Sequence, residues 1–168
     1  VETGLELFPE YKGSDSYKYS KLLNRDVKDI NLYFFNKPVS PHSAAKQDGK
    51  KINIKTKKNK INEELKKYEE VYVEGAGGLV VPLTDNYTYL DLIEEYKKEA
   101  EIIVVSKNSL GTINHTLLTI KTLQNRGIKI KGVVYNNKDK IKDKDFCDEN
   151  IRIITELSGI RPIDFGWY

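Results

Sequence analysis

Four groups of residues in this chain carry chemistry by type and spacing. The first is Glu74-Gly75-Ala76-Gly77-Gly78, directly after the β-prone run Val71-Tyr72-Val73. Glycines there let backbone N–H groups approach an anion unobstructed. A carboxylate beside them suits a hard cation such as Mg²⁺, which takes carboxylate, water and phosphate oxygens. The plainer reading is a tight turn with an incidental acid. The second group, Leu110-Gly111-Thr112-Ile113-Asn114-His115, opens a helical pattern, where free N–H groups can hold a carboxylate or phosphate. Capping by Thr112 or Asn114 accounts for the same residues. The third is Asn136-Asn137, whose amides offer a donor and an acceptor side by side, as an adenine edge requires; an ordinary polar turn also uses such a pair. The fourth is Asp15 within Gly13-Ser14-Asp15-Ser16, a pattern most often used to cap a helix.

The elements that must position these groups alternate between helical and extended patterns. Helices are predicted over Ser14–Leu23, from Ser40-Pro41-His42 onward, and over Ile54–Glu69, Thr88–Ala100, Thr112–Arg126 and Asp148–Ser158. Gly127 and Gly159 supply stops for the last two. Strands are predicted over Ile30–Phe35, Val71–Glu74, Ile102–Val105 and Ile130–Asn136, and Pro162–Phe165 reads as extended. The β-branched run Ile102–Val105 fits a strand covered on both faces. Gly4–Gly13 and the Lys/Asp-rich stretch Lys138–Asp145 read as loops. This alternation specifies an α/β fold, a doubly wound, mostly parallel sheet with helices on both faces. Ligands of such sheets collect at the carboxyl ends of the strands, where the first three groups fall.

Composition sets bounds. A chain of 168 residues suits a single domain, 1–168. Its apolar runs are far below the ~20 residues a spanning helix needs, and no basic-then-apolar leader opens it. The expectation is therefore a soluble, cytoplasmic protein with no membrane partner. With 28 basic and 25 acidic residues, charge gives no sign of nucleic acid. Seven lysines between Lys46 and Lys60 face one acid, Asp48, with no interleaved aromatic, which reads as a solvated helix face. Cys147 is the only cysteine, so a disulfide framework is excluded; it reads as structural or incidental. His42 and His115 lack metal-ligand spacing. The chain starts at Val1 and contains no methionine, which reads as a trimmed product.

Read together, these segments resemble the dethiobiotin synthetase family. The resemblance rests on Val1-Glu2-Thr3-Gly4, Gly13-Ser14-Asp15, Ser40-Pro41-His42, Val73-Glu74-Gly75-Ala76-Gly77-Gly78 continuing to Val81-Pro82-Leu83, Leu110-Gly111-Thr112-Ile113-Asn114-His115, and Gly132 to Asn136. It implies a P-loop NTPase type of sheet and an ATP-dependent ligase that closes the ureido ring from 7,8-diaminononanoate and CO₂. Asp15 and Glu74 would hold Mg²⁺ against the ATP phosphates, and Gly75, Ala76, Gly77 and Gly78 would line the phosphate and carbamate site. Thr3 would hydrogen-bond the substrate's amine or carbamate end. Asn136 and Asn137 would face the adenine, with Gly166, Trp167 and Tyr168 completing that pocket. Gly111, Thr112, Ile113 and Asn114 would reach the substrate carboxylate bound mainly by the partner chain of a homodimer.

Two departures accompany the resemblance. No Gly-x-x-x-x-Gly-Lys-Ser/Thr occurs; only Gly49 is followed by lysine, and Lys51 then takes the hydroxyl position. The family's first strand, its P-loop and a catalytic lysine are expected before Val1, and Gly166 stands where proline is usual. The first strand of such a sheet is central, and losing it orphans buried backbone groups at ~1–3 kcal/mol each. The expectation is a truncated copy. The remaining alternatives are a related P-loop ATPase or amidotransferase-like enzyme, or a non-catalytic binding module.

Overall fold

The computed structural model describes residues 1–7, 10, 12–136 and 143–163. They fall into two compact units, Val1–Tyr89 and Leu90–Tyr168.

The first unit begins with Val1–Gly4 running parallel to residues 33–35. The Glu2 N–H donates to the Tyr33 carbonyl (2.9 Å), and the Phe35 N–H donates to the Glu2 carbonyl (3.1 Å). The strand expected over Ile30–Phe35 is reduced to this isolated bridge, because Asp26 caps a one-turn helix, α2 (Val27–Ile30), that uses up its start. Helix α1 (Asp15–Leu23) is capped by Ser14, whose hydroxyl accepts from the Tyr17 N–H. Helix α3 (Pro41–Gln47) opens on proline, whose missing N–H costs nothing at a first turn. Helix α4 (Ile54–Leu65) is capped by Asn53 and stops short of Glu69. Phe35, Ala44, Leu83 and Tyr89 are the buried apolar side chains around which this unit forms. Lys57 departs from the solvated lysine face: it is only 9% exposed, and burial pushes its ammonium below the usual lysine range.

A further expected strand is absent from this unit. Val71–Glu74 forms no strand, and Tyr72 and Val73 stand exposed. β-propensity expresses itself only against a neighbouring strand and a covered face. A hairpin forms instead just downstream, β1 (Pro82–Thr84) against β2 (Tyr87–Thr88), antiparallel around Asp85-Asn86. Leu83 is buried and α3 packs on β1, so this pair has the cover that the preceding run lacks.

In the second unit, α5 (from Tyr89, the last residue of the first unit, to Glu95) is followed by a turn that replaces the rest of the expected helix. A β–α–β unit follows: β3 (Ile102–Lys107), α6 (Thr112–Asn125) and β4 (Ile130–Asn136), the strands parallel with register from Ile102↔Ile130 to Lys107↔Asn136. Pro162 adds a parallel bridge to Val133 on the other edge of β4. The expected parallel α/β arrangement is present. β3 is nevertheless covered on one face only: Val104 and Ser106 are buried, whereas Val105 is 65% exposed. Helix α7 (Lys144–Ser158) starts four residues before the expected Asp148, because Asp143 accepts from the Phe146 N–H and caps it there. Gly159 ends it in the left-handed region at φ 72°. Among the described residues no helix is long and apolar enough to cross a membrane.

Candidate functional site

The first candidate region lies wholly within the first unit. Helix α1 starts beside the Val1–Gly4 segment, and the Glu2 carboxylate accepts from the N–H groups of Asp15 (2.7 Å) and Ser16 (3.3 Å). A carboxylate is favoured at the positive end of a helix. Asp15 is thus not the cap; it is the first helical residue, and its own carboxylate pairs with Lys18 at 2.9 Å on an exposed surface. Thr3 lies half-buried between Glu2 and Gly4.

One turn along α1 from Asp15, Tyr19 donates its hydroxyl to Glu74 Oε2 at 2.8 Å. The phenol is pushed up to about 12, first by this hydrogen bond to a carboxylate, then by partial burial, then by the charges of Glu74, Asp15 and Glu2. Glu74 is the carboxylate in contact with the hydroxyl; Asp15 and Glu2 act on it through their charge alone. Among the described residues, no group of three or more His, Cys, Asp or Glu converges as a metal-binding set. All the donors here are hard oxygens. Carboxylate oxygens of this kind are the donors that Mg²⁺ takes, commonly one or two of them with substrate phosphates completing its shell.

Directly after Glu74, the glycine segment is shaped by a second tyrosine. Tyr89 is 6% exposed; its hydroxyl accepts from the Ala76 N–H at 2.9 Å, and a Cβ on Gly75 would stand 3.3 Å from its ring. Gly77 sits at φ 90°, where a side chain is strained, and Val81 closes back with its N–H on the Gly78 carbonyl. The cradle predicted at Gly75–Gly78 is thus an irregular turn with one N–H, that of Ala76, already engaged.

In the second unit, Gly111 takes the left-handed region at φ 90° and caps α6 through its backbone. Neither Thr112 nor Asn114 supplies a side-chain cap. Thr112 is buried, and its hydroxyl lies 2.7 Å from the Ser106 hydroxyl, which in turn is 2.8 Å from that of Thr116. The Thr112 N–H donates to the Ser109 carbonyl (3.0 Å). Ile113 is half-buried and Asn114 exposed. Asn136, the last residue of β4, accepts the Asn108 N–H on its carbonyl. Asn137, Gly166, Trp167 and Tyr168 lie outside the described residues.

Sequence reasoning missed Tyr19, Tyr89 and Glu2. Tyr19 carries a signal, since i and i+4 share a helix face and Asp15 is four residues before it. Tyr89 carries a weaker one: a buried tyrosine seeks a partner for its hydroxyl. Nothing around Glu2 announces that it caps a helix thirteen residues away.

Comparison with known proteins bears on both regions. A family model described as an AAA domain matches residues 2–163. An ATP-dependent dethiobiotin synthetase of Aquifex aeolicus is 33% identical over 96% of the chain and 70% of its own length. That of Clostridium acetobutylicum is 35% identical over 82% of the chain and 57% of its length. That of Christiangramia forsetii is 42% identical over 77% of the chain and 60% of its length. The chain thus spans a little over half to some two thirds of the curated relatives it matches.

Proposed function

The chain belongs to the dethiobiotin synthetase family, and we propose that the protein carrying it is an ATP-dependent ligase that converts 7,8-diaminononanoate and CO₂ to dethiobiotin, with ADP and phosphate as the other products. One amine takes up CO₂ as a carbamate, a carbamate oxygen attacks the γ-phosphorus of ATP, and the second amine closes the ring as phosphate leaves. Negative charge accumulates where carbamate and phosphate meet, so fixed positive partners should supply most of the stabilisation.

The observation that carries this reading is the 2.8 Å hydrogen bond from Tyr19 to Glu74, which ties α1, the helix that begins at Asp15, to the residue directly before the Gly75–Gly78 turn. Glu74 and Asp15 would hold Mg²⁺, whose bound charge supplies Lewis-acid neutralisation of the phosphate oxygens. Asp15 would have to leave Lys18, an exchange that costs little between two exposed groups. Glu2 stays on the α1 N-terminus and fixes where Asp15 enters the site. Thr3, anchored by the neighbouring backbone pairing of Glu2, would hydrogen-bond the amine or carbamate. The N–H groups of Gly75, Gly77 and Gly78 would face phosphate and carbamate oxygens. Gly111, Thr112, Ile113 and Asn114 would meet the substrate carboxylate, offering main-chain donors at Ile113 and Asn114, in a homodimer. Asn136 and Asn137, with Gly166, Trp167 and Tyr168, would take the adenine. A cytoplasmic location fits the small, soluble substrates.

The test is to assay the full gene product for dethiobiotin formation from the diamine, CO₂ and MgATP, wild type beside Glu74→Gln. Wild-type turnover with at least a hundredfold loss in kcat/KM is expected, since several kcal/mol of charge stabilisation are removed at ~1.4 kcal/mol per tenfold. ATP hydrolysis without any response to the diamine would overturn the reading in favour of a related ATPase. Diamine binding without ATP binding would overturn it in favour of a non-catalytic module.

A further inference from the structure

We infer that Tyr19 and Tyr89 are positioning residues that together fix the Glu74–Ala76 segment, Tyr19 by holding one oxygen of the Glu74 carboxylate and Tyr89 by anchoring the turn behind it. This deepens the reading of Glu74 as a Mg²⁺ ligand and rests on it.

The need for such a device follows from the backbone. Residues 70–75 belong to no helix or strand. A metal-ligating side chain at the tip of a paired strand inherits its position from a ladder of main-chain hydrogen bonds. Among the described residues Glu74 is in no strand, and its neighbours Tyr72 and Val73 are exposed. Side chains reach its carboxylate and the turn behind it. Two contacts do this from two elements. On one side, Tyr19 donates to Oε2 at 2.8 Å from the second turn of α1, a helix fixed at its start by Ser14 and by the Glu2 carboxylate. That bond occupies one oxygen, and Oε1 would be the one to face a cation. On the other side, Tyr89 opens α5, donates its own N–H to the Val81 carbonyl (3.3 Å), and is buried. Its ring lies against Gly75, and its hydroxyl takes the Ala76 N–H at 2.9 Å.

The hydroxyls, not the rings, make the argument. A phenylalanine at 89 would pack against Gly75 equally well and leave the Ala76 N–H without this acceptor. The chemistry is that of an outer shell, in which hydrogen bonds to a ligating carboxylate fix its orientation and losing one typically costs 10–100-fold in metal affinity. The arrangement also selects donors. With its N–H committed to Tyr89, Ala76 offers nothing to a phosphate, so the anion-facing donors of the turn are Gly75, Gly77 and Gly78.

The experiment uses the full gene product with Tyr19→Phe, Tyr89→Phe and Glu74→Gln. Mn²⁺, visible by electron paramagnetic resonance, is titrated in the presence of ATP. Amide exchange is followed at residues 73–78 without metal, and KM for the diamine is measured alongside. About a tenfold weaker Mn²⁺ affinity is expected for Tyr19→Phe, with KM for the diamine unchanged, a split that general loosening of the fold would not give. Tyr89→Phe should lose protection at the Ala76 amide and weaken Mn²⁺ in the same direction. Should Tyr89→Phe fail to fold, Tyr19→Phe decides alone. Wild-type Mn²⁺ affinity in Tyr19→Phe, where Glu74→Gln abolishes binding, overturns the positioning inference and leaves the ligand assignment standing. Unchanged affinity in Glu74→Gln overturns both.

Discussion

The two candidate regions are built in opposite ways. The start of α6 is placed by regular structure: β3 pairs with β4 over its whole length, Gly111 turns the chain at φ 90°, and the Ser106, Thr112 and Thr116 hydroxyls close on one another in the interior. The Glu74–Gly78 turn has no regular structure beneath it and is placed by side chains, chiefly Tyr19 and Tyr89. A site built on elements is as stiff as its core. A site built on side-chain hydrogen bonds can be loosened one hydroxyl at a time while the fold survives. Catalytic groups on loops positioned by a rigid scaffold are common; here the scaffold of the turn is two phenols.

The sharpest break of this contrast is a core truncation in the second unit. Ile120 is fully buried on the same α6 stripe as Thr112, Thr116 and Leu123. Ile120→Ala should cost ~2–5 kcal/mol through lost burial plus the cavity it leaves. In urea unfolding it should lower the midpoint, and amide exchange should rise across α6, β3 and β4 together. Loss of protection confined to the first turn of α6 would mean that the helix start is held locally, as Glu74 is, and the contrast would fail.

A smaller effect is expected at the β4 edge. A Cβ on Gly132 would collide with Ile163 Cγ1 and stand 2.9 Å from the Arg161 carbonyl oxygen. Arg161 and Ile163 are the residues whose backbone brackets Val133 by hydrogen bonds of 3.1 and 2.8 Å. Gly132→Ala must therefore push the Pro162 segment away, and overpacking of this kind costs ~1–3 kcal/mol. Thermal melting checks the size. Exchange should rise at the Val133 and Ile163 amides, while the amides of 73–78 stay as in the wild type.

How much of this was legible in the sequence depends on the range of the interaction concerned. β4 is read from its own residues over the full span Ile130–Asn136, and α1 is given correctly by Ser14 and its pattern, because propensity and caps act within a few residues. Val71–Glu74 was misread as a strand although its composition is right, because a strand needs a partner that composition does not reveal. The buried stripe of α6 runs through Thr112, Thr116, Ile120 and Leu123, so its first half is polar in type. Two threonines hydrogen-bonded to Ser106 can be buried as cheaply as aliphatic residues, and a hydrophobicity count passes over them. In the site, Asp15 reads as a helix cap and as a metal ligand only through the family resemblance, while Glu74 beside its glycines was legible as a pattern for hard-cation chemistry. Tyr19, Tyr89 and Glu2 were not, because their contacts span 55, 13 and 13 residues of sequence.

The mildest way to sharpen the contrast is acid. In the first unit, Glu64 on α4 pairs with Arg25 at 2.9 Å and with Lys60 at 3.0 Å, and Arg25 also lies over the Tyr68 ring. The Arg25 guanidinium, and Lys60 after it, hold the Glu64 carboxyl down at about 2, against its ordinary 4.5. A carboxylate depressed by folding contributes stability that is fully present above the unfolded value and drains away as protons are taken up. The contribution should therefore be intact above about pH 5, fall through the interval from 4.5 towards 2, and be gone below it. Its size is on the order of 1 kcal/mol, since the arginine partner is partly open to solvent. Protection factors measured from pH 6 to pH 3 should fall around Arg25 and Glu64 before they fall in β3 and β4, where Glu101, held down by Lys129 and Lys131, is exposed and screened by solvent. Arg25→Ala should flatten that dependence by returning Glu64 towards its ordinary value. If β3 and β4 loosen first, or if Arg25→Ala leaves the slope intact, the division between a unit tied by polar side chains and one tied by its core does not hold.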